Sequence, residues 1–265
     1  MPKCKTGLVA ALVASGVFAA TAMAATIDGD NGPDRLVGTP EGDVIHALGG
    51  NDLVRARGGD DQVLGGAGND LLRGGPGNDR VNGEAGFDRI FGHAGDDQLQ
   101  GWAGPDRIWG GWGNDTLVGD VPEAGDIVSP DRMWGGPGAD TLRGGDGDDV
   151  MHGGPDDDVQ DGGAGNDRIL ANRGRDTTEG GAGDDVLWAL IRTDVTGPND
   201  LAGDTVSGGE GNDRIRVRDG EQDIVRCGAG FDVARLDALD VTPDNDCERV
   251  KRGAPRAGED APEGQ

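Results

Sequence analysis

Gly65 to Asp79 reads GGAGNDLLRGGPGND, one nine-residue unit and most of a second. The unit is G-G-x-G-[ND]-D-x-U-x, with U aliphatic. Counting outward in nines from Asp70 finds Asp34, Asp43, Asp52, Asp61, Asp70, Asp79, Asp88, Asp97, Asp106 and Asp115 in step. Two residues after each stands Leu36, Ile45, Val54, Val63, Leu72, Val81, Ile90, Leu99, Ile108 or Leu117, all aliphatic. A seven-residue insertion between Asp115 and Asp131 shifts the phase, and Asp131, Asp140, Asp149, Asp158, Asp167, Asp176 and Asp185 restore it. A second interruption follows around Trp188 to Asn199, and Asp204, Asp213, Asp223 and Asp232 close the series raggedly. A fixed short period over this many units is the mark of a repeat architecture.

Composition alone would suggest disorder: Gly 53 and Pro 13 in 265 residues, aromatics at 3%, and a formal charge of -26. The period argues against that. With so few large apolar residues the chain cannot fill a thick core, so the fold must be thin and stabilised by something besides burial. A chain this acidic is expected to bind no nucleic acid through phosphate neutralisation, and its natural partners are cations.

Lys3 and Lys5, the apolar run Leu8 to Ala20 and the small-x-small triplet Ala22-Met23-Ala24 read as a signal peptide over residues 1–24. The run is too short for a stable membrane anchor, and the chain is expected to be secreted. Cutting after Ala24 removes two lysines and no acid, which takes the charge from -26 to -28. A repeat region is expected over 25–218, with interruptions near 119–130 and 188–203. Degenerate repeats and a cap follow over 219–251, then a disordered Pro/Gly-rich tail over 252–265. Cys227 and Cys247 in an exported chain suggest one disulfide bond, with two free thiols as the alternative. Apolar cover for the cap is expected from Ile224, Val225, Phe231, Val233, Leu236, Leu239 and Val241.

Each position of the unit has a physical role. The glycines let the backbone take positive φ and turn tightly. The closing x-U-x is a three-residue strand with its central side chain facing inward. Two units then make one turn of a flattened coil, 18 residues per rung, with about ten rungs spaced at about 4.8 Å. Aspartates two units apart stack in two columns along the edges, where neighbouring carboxylates about 5 Å apart repel by about 3 kcal/mol at an effective dielectric of 20. A hard divalent cation between turns reverses that sign. Carboxylates and backbone carbonyls are the all-oxygen set that suits Ca²⁺; Mg²⁺ prefers a small octahedron with its own waters. Zinc is disfavoured by three scattered histidines and no thiolate cluster.

These units resemble the hemolysin-type, or RTX, calcium-binding nonapeptide repeat over roughly residues 29–235. Complete G-G-x-G-x-D copies stand at Gly65 to Asp70, Gly74 to Asp79, Gly110 to Asp115, Gly135 to Asp140, Gly144 to Asp149, Gly162 to Asp167, Gly180 to Asp185 and Gly208 to Asp213. The resemblance implies an all-β, right-handed parallel β-roll with multiple Ca²⁺ ions between turns. The expected ligands are the carboxylates of Asp52, Asp61, Asp70, Asp79, Asp88, Asp97, Asp106, Asp115, Asp140, Asp149, Asp158, Asp167, Asp185 and Asp213. The turns that begin at Gly65, Gly74, Gly110, Gly135, Gly144, Gly162, Gly180 and Gly208 supply carbonyls. Weak units are marked by Thr178 and Gln160 at inward positions and by Asp156 in place of a glycine, and few ions are expected at the two ends.

Reading the ninth position at every second unit gives one outer column of Val37, Arg55, Arg73, Phe91, Trp109, Trp134, His152, Leu170 and Trp188. Phe91, Trp109 and Trp134 fall on consecutive rungs if the insertion bulges out, a ladder that either binds a glycan or protein partner or simply packs on itself. His46, His93 and His152 occupy unrelated positions. No catalytic residue, organic cofactor or enzyme activity is expected: every paired carboxylate belongs to the repeat, and no nucleophile arrangement or phosphate loop is present. The expectation is an exported protein whose folding is coupled to Ca²⁺ and which acts as an extracellular structural or interaction module. The alternatives are a simple calcium-sequestering protein and a secreted polysaccharide-acting enzyme.

Overall fold

A computed structural model describes residues 23–120, 128–189 and 203–253. The leader up to residue 22, most of both interruptions and the tail from residue 254 lie outside the described residues. Among those described, 23 strands from Thr26–Asp28 to Arg249–Arg252 alternate between two parallel sheets of 11 and 12 strands. Most strands pair with the one 18 residues on, as Val63 with Val81 and Leu72 with Ile90. The step lengthens at the insertion, where Ile108 pairs with Met133, and again where Thr178 pairs with Val206. The strands that follow each interruption thus take up the next rung in phase. The architecture is the parallel β-roll that the nine-residue period predicts.

Two expectations need correction. Many strands run to six residues, as in Gln62–Ala67, because the Gly-Gly-x that follows stays extended enough to keep pairing before the turn. The roll also exceeds ten rungs, because units that have lost their glycine pair, such as those of Asp34 and Asp43, still supply the strands Arg35–Val37 and Val44–His46. One aliphatic residue per unit is sufficient to seat a strand on its neighbour.

The core is a single file from each sheet. Leu72, Ile90, Ile108, Met133, Met151, Ile169 and Leu187 face Val63, Val81, Leu99, Leu117 and Leu142, all buried. Gln160 and Thr178 continue the second file between Leu142 and Val206. Gln160 donates from Nε2 to the Leu170 carbonyl at 3.2 Å. Its Oε1 and the Thr178 Oγ1 are buried without hydrogen-bond partners among the described residues. An unsatisfied buried polar atom costs about 1–3 kcal/mol. Gln160→Leu with Thr178→Val is therefore expected to stabilise the calcium-loaded roll by about 2 kcal/mol, read as a rise in thermal midpoint. A fall would show that the amide supports the strand it sits in.

The C-terminal rungs end in the disulfide Cys227–Cys247, with Cα atoms 5.1 Å apart. Val225, Ala234 and Leu236 are buried there, whereas Ile224, Phe231, Leu239 and Val241 are exposed. The last strand, Arg249–Arg252, pairs with Val233–Leu236 and places basic side chains on the open edge, a device that discourages further strand addition. Arg252 Nη1 ties it back to the carbonyls of Asp237 and Asp240 at 2.9 and 3.0 Å.

Outside the core, the columns follow the expected order: Arg73, Phe91, Trp109, Trp134, His152, Leu170 and Trp188 stand in register on the 12-stranded sheet. The rings stack face to face along the rod: Phe91 on Trp109 at 4.5 Å and 2°, Trp109 on Trp134 at 4.9 Å and 5°, Trp134 on His152 at 5.9 Å and 13°. Arg73 closes the far face of Phe91 at 5.7 Å.

Candidate metal centre

The strand geometry puts every repeat aspartate at the mouth of a turn, immediately before the strand it starts. Each is nearly or fully buried, from Asp34 at 9% exposure to Asp88, Asp131 and Asp167 at 0%. Burial of so many carboxylates needs partners. Half of the need is met by backbone. The Asp52 N–H donates to Asp70 Oδ1 and the Asp70 N–H to Asp88 Oδ1, both at 2.8 Å. The same link runs from Asp88 through Asp106, Asp131, Asp149, Asp167, Asp185 and Asp213 to Asp232. The other edge carries Asp43, Asp61, Asp79, Asp97, Asp115, Asp140, Asp158, Asp176, Asp204 and Asp223 in the same way. The expected repulsion between stacked carboxylates is thus offset in part by an N–H aimed at each.

The other oxygen is not satisfied. Oδ2 of Asp52, Asp61, Asp70, Asp79, Asp88, Asp97, Asp106, Asp115, Asp131, Asp140, Asp149, Asp158, Asp167, Asp185, Asp213, Asp223 and Asp232 is buried without a hydrogen-bond partner among the described residues. It points back into its own turn: a Cβ added to Gly65 would stand 2.7 Å from Asp70 Oδ2 and 2.7 Å from the Gly83 carbonyl oxygen. Gly74, Gly110, Gly135, Gly144, Gly162, Gly180 and Gly208 hold the same place against the carboxylate five residues on. The carbonyls of Gly74, Gly135 and Gly144 already accept an N–H from the preceding turn at 2.9 Å, which leaves each a second lone pair. Each turn therefore offers a carboxylate oxygen and carbonyl oxygens, a donor set that fits a hard cation.

Without a cation the carboxylates resist ionisation. Burial, first of all, lifts Asp79, Asp88 and Asp97 to about 7 and Asp106 and Asp149 to about 8; the backbone N–H pulls each partly back, and neighbouring aspartates push it up again. Asp131 reaches about 9 for the same reasons.

Several members of the columns are outside the expected ligand set. Asp131 lies between Asp106 and Asp149 although the insertion separates it from its glycine; Gly119, before the excursion, packs against its Oδ2. Its place in the nine-residue count was the available signal. Asp176 and Asp204 continue the second column through units that look degenerate. Glu248, which has no repeat around it, ends the first column by accepting from the Asp232 N–H at 2.8 Å. The [ND] position forms a second, exposed ladder of opposite sense: the Asn69 N–H donates to Asn51 Oδ1, and the Asn114 N–H to Asp96 Oδ1. That explains the Asx preference, since only a short side-chain acceptor reaches the next turn. At the C-terminal end, Asp204, Asp219 and Asp223 bring three carboxylates within 4.8 Å, all buried.

The family model described as "RTX calcium-binding nonapeptide repeat (4 copies)" matches residues 28–63, 37–72, 55–90, 73–108, 91–121, 129–160, 161–189 and 200–234. The chain belongs to this RTX calcium-binding repeat family. Its matched segments flank both excursions, so this RTX repeat protein keeps the family pattern on either side of each. A solved structure of "a hyperactive, Ca2+-dependent, beta-helical antifreeze protein from an Antarctic bacterium" matches at 18% identity and a TM-score of 0.37, over 91% of this chain and 98% of that one. No curated protein matches the chain. Among the described residues of the RTX protein, no helix is long and apolar enough to cross a membrane.

Proposed function

We propose that this calcium-binding repeat protein is exported and folds when it meets Ca²⁺ outside the cell, where the assembled rod acts as a structural or interaction module. The observation that carries the reading is the double file of buried Asp Oδ2 atoms without partners. Such a file is tolerable at neutral pH only if something positive replaces the missing donors. Bound Ca²⁺ supplies that charge. The ligands would be the carboxylates of both columns, Asp131 included, with the turn carbonyls beside them. Because a turn holds its ligands together only when coiled, binding free energy becomes folding free energy. Low Ca²⁺ inside the cell keeps the chain unfolded for export, and millimolar Ca²⁺ outside completes it. Asp204, Asp219 and Asp223 form the most highly charged of these sites, and ligand charge raises affinity.

The chain reads as non-enzymatic, because its carboxylates are engaged along the columns and the three histidines are dispersed. His46 pairs with Asp28 at 2.8 Å, His93 stacks on Phe91, and His152 stacks on Trp134. Glycan docking on the aromatic ladder loses support, because sugars stack on ring faces and these faces cover one another.

The test is far-UV circular dichroism of the mature, disulfide-bonded chain titrated with Ca²⁺ and, separately, with Mg²⁺. A cooperative coil-to-β transition with Ca²⁺ alone is expected. A chain fully β-structured in EDTA at pH 8 would overturn the coupling.

A further inference from the structure

The outer surface of the 12-stranded sheet differs from the rest of this acidic molecule. Each strand but the last shows solvent the two residues that flank its buried apolar residue, and Arg249–Arg252 is exposed throughout. One column is Arg35, Leu53, Leu71, Arg89, Arg107, Arg132, Val150, Arg168, Val186, Arg214, Val233 and Arg249. The other is the aromatic column, which Arg216, Arg235 and Lys251 complete. Across both columns every side chain is basic, aliphatic, aromatic or histidine. Half of the chain's 24 Lys and Arg residues are here, with no Asp, Glu, Ser, Thr, Asn or Gln among them. The 11-stranded sheet is different: its columns include Asp28, Asp161 and Glu179 together with Thr116, Gln100 and Asn82.

We infer that this basic and apolar face is a docking surface for an anionic lipid bilayer. The occupant follows from what the face contains and what it omits. Guanidinium groups such as Arg89, Arg107 and Arg132, on three successive strands, suit headgroup phosphates. Between and beside them, half-buried Phe91, Trp109 and Trp134 turn ring edges outward, an amphipathic arrangement suited to the boundary between headgroups and acyl chains. Arginine can bury its stem there and keep its charge at the phosphates. A carbohydrate would call for amide and hydroxyl side chains to meet its hydroxyls, and none is present. Single-stranded nucleic acid would need open ring faces for its bases, and the stack has closed them. The strip is two columns about 7 Å apart and about 50 Å long, an extended surface that can engage many headgroups at once.

The inference rests on the calcium reading in one respect. Before the cation binds, the acidic edges repel an anionic surface; neutralising them leaves the arginine face to decide the contact. Docking is therefore expected to require Ca²⁺ twice over, for the fold and for the charge balance.

The test is sedimentation of the mature chain with phosphatidylcholine vesicles, with or without phosphatidylglycerol, in 2 mM Ca²⁺ and in EDTA, chosen to bracket the extracellular range for calcium modules of about 10⁻⁴–10⁻³ M. Circular dichroism is recorded on the same samples. Binding to the anionic vesicles in Ca²⁺ is expected. Arg89→Gln, Arg107→Gln and Arg132→Gln together should weaken it by roughly a hundredfold, at about 1 kcal/mol per basic residue near such a surface. The matched triple Arg80→Gln, Arg143→Gln and Arg226→Gln on the other sheet should leave it unchanged. Equal loss from both triples, or none from either, would show that Ca²⁺ merely bridges acidic side chains to the lipid and would overturn the inference. So would a folded chain that ignores anionic vesicles, or one that binds dextran sulfate while ignoring them. Failure of the calcium reading appears separately in the spectra: a roll already formed in EDTA presents the same face, and the vesicle comparison then decides the docking alone.

Discussion

Freed of calcium, the chain is expected to be more β-structured at pH 5 than at pH 8.5, and calcium should reverse that order. Burial holds the folded-state carboxyls of Asp79, Asp88, Asp97, Asp106, Asp149 and Asp158 at about 7 to 8. An unfolded aspartate titrates near 3.9. A raised folded value means that the folded form binds protons more tightly, so its stabilising contribution is complete below about pH 4 and lost as pH rises through 7 to 8. A protonated carboxyl can also donate, which relieves the stacked charge. With Ca²⁺ bound the ionised form is required, and protons compete with the cation. The Ca²⁺ midpoint for folding should therefore move to higher concentration as pH falls from 8 to 6. Circular dichroism across a pH series, in EDTA and in Ca²⁺, measures both. A metal-free chain no more structured at pH 5 than at pH 8.5 would mean that the Asp files are not what prevents folding.

Gly86→Ala should cost about 3 kcal/mol or more, whereas Gly83→Ala in the same turn should cost about 1 kcal/mol. Gly86 has φ +144°, a region that side chains with a Cβ avoid, and its Cβ would collide with the Gly68 carbonyl oxygen of the turn below. The equivalent place is held by Gly50, Gly59, Gly68, Gly77, Gly95 and Gly104, all at positive φ. Asp156, which carries a Cβ at this place, adopts φ +84°. At Gly83 a Cβ would meet the Asp88 carboxylate and the Gly101 carbonyl oxygen, but φ is not positive there and the equivalent Ala47, Ala56 and Ala171 carry a Cβ at that place while buried. Calcium midpoints and thermal unfolding of the two variants give the comparison. Equal effects would show that the turn accommodates a Cβ at both positions.

Much of this was legible because a nine-residue period repeats one local solution. Asp at the sixth place, an aliphatic at the eighth and glycine at the turn fix strand, register and columns together, so Phe91, Trp109 and Trp134 could be aligned across an insertion. Less was legible where a residue joins a column from outside the pattern. Glu248 has no unit around it, and only the coiled chain brings it into line with Asp232. The division of labour between the two Asp oxygens was also out of reach, because it depends on an N–H donated from one turn away.

By itself the sequence determined the roll, its two files of carboxylates and their demand for a hard cation, since those follow from spacing and ligand chemistry. It also led to the expectation that a chain of charge -26 repels anions. The tertiary structure gathers the basic side chains on one face. In Asp88-Arg89, Asp106-Arg107, Asp131-Arg132 and Asp167-Arg168 the opposite charges are neighbours in the chain and cancel in any local average. Successive side chains of an extended backbone point opposite ways. Coiling therefore turns each of these aspartates into the turn and its arginine out to solvent, separating charges that no count of the sequence could separate.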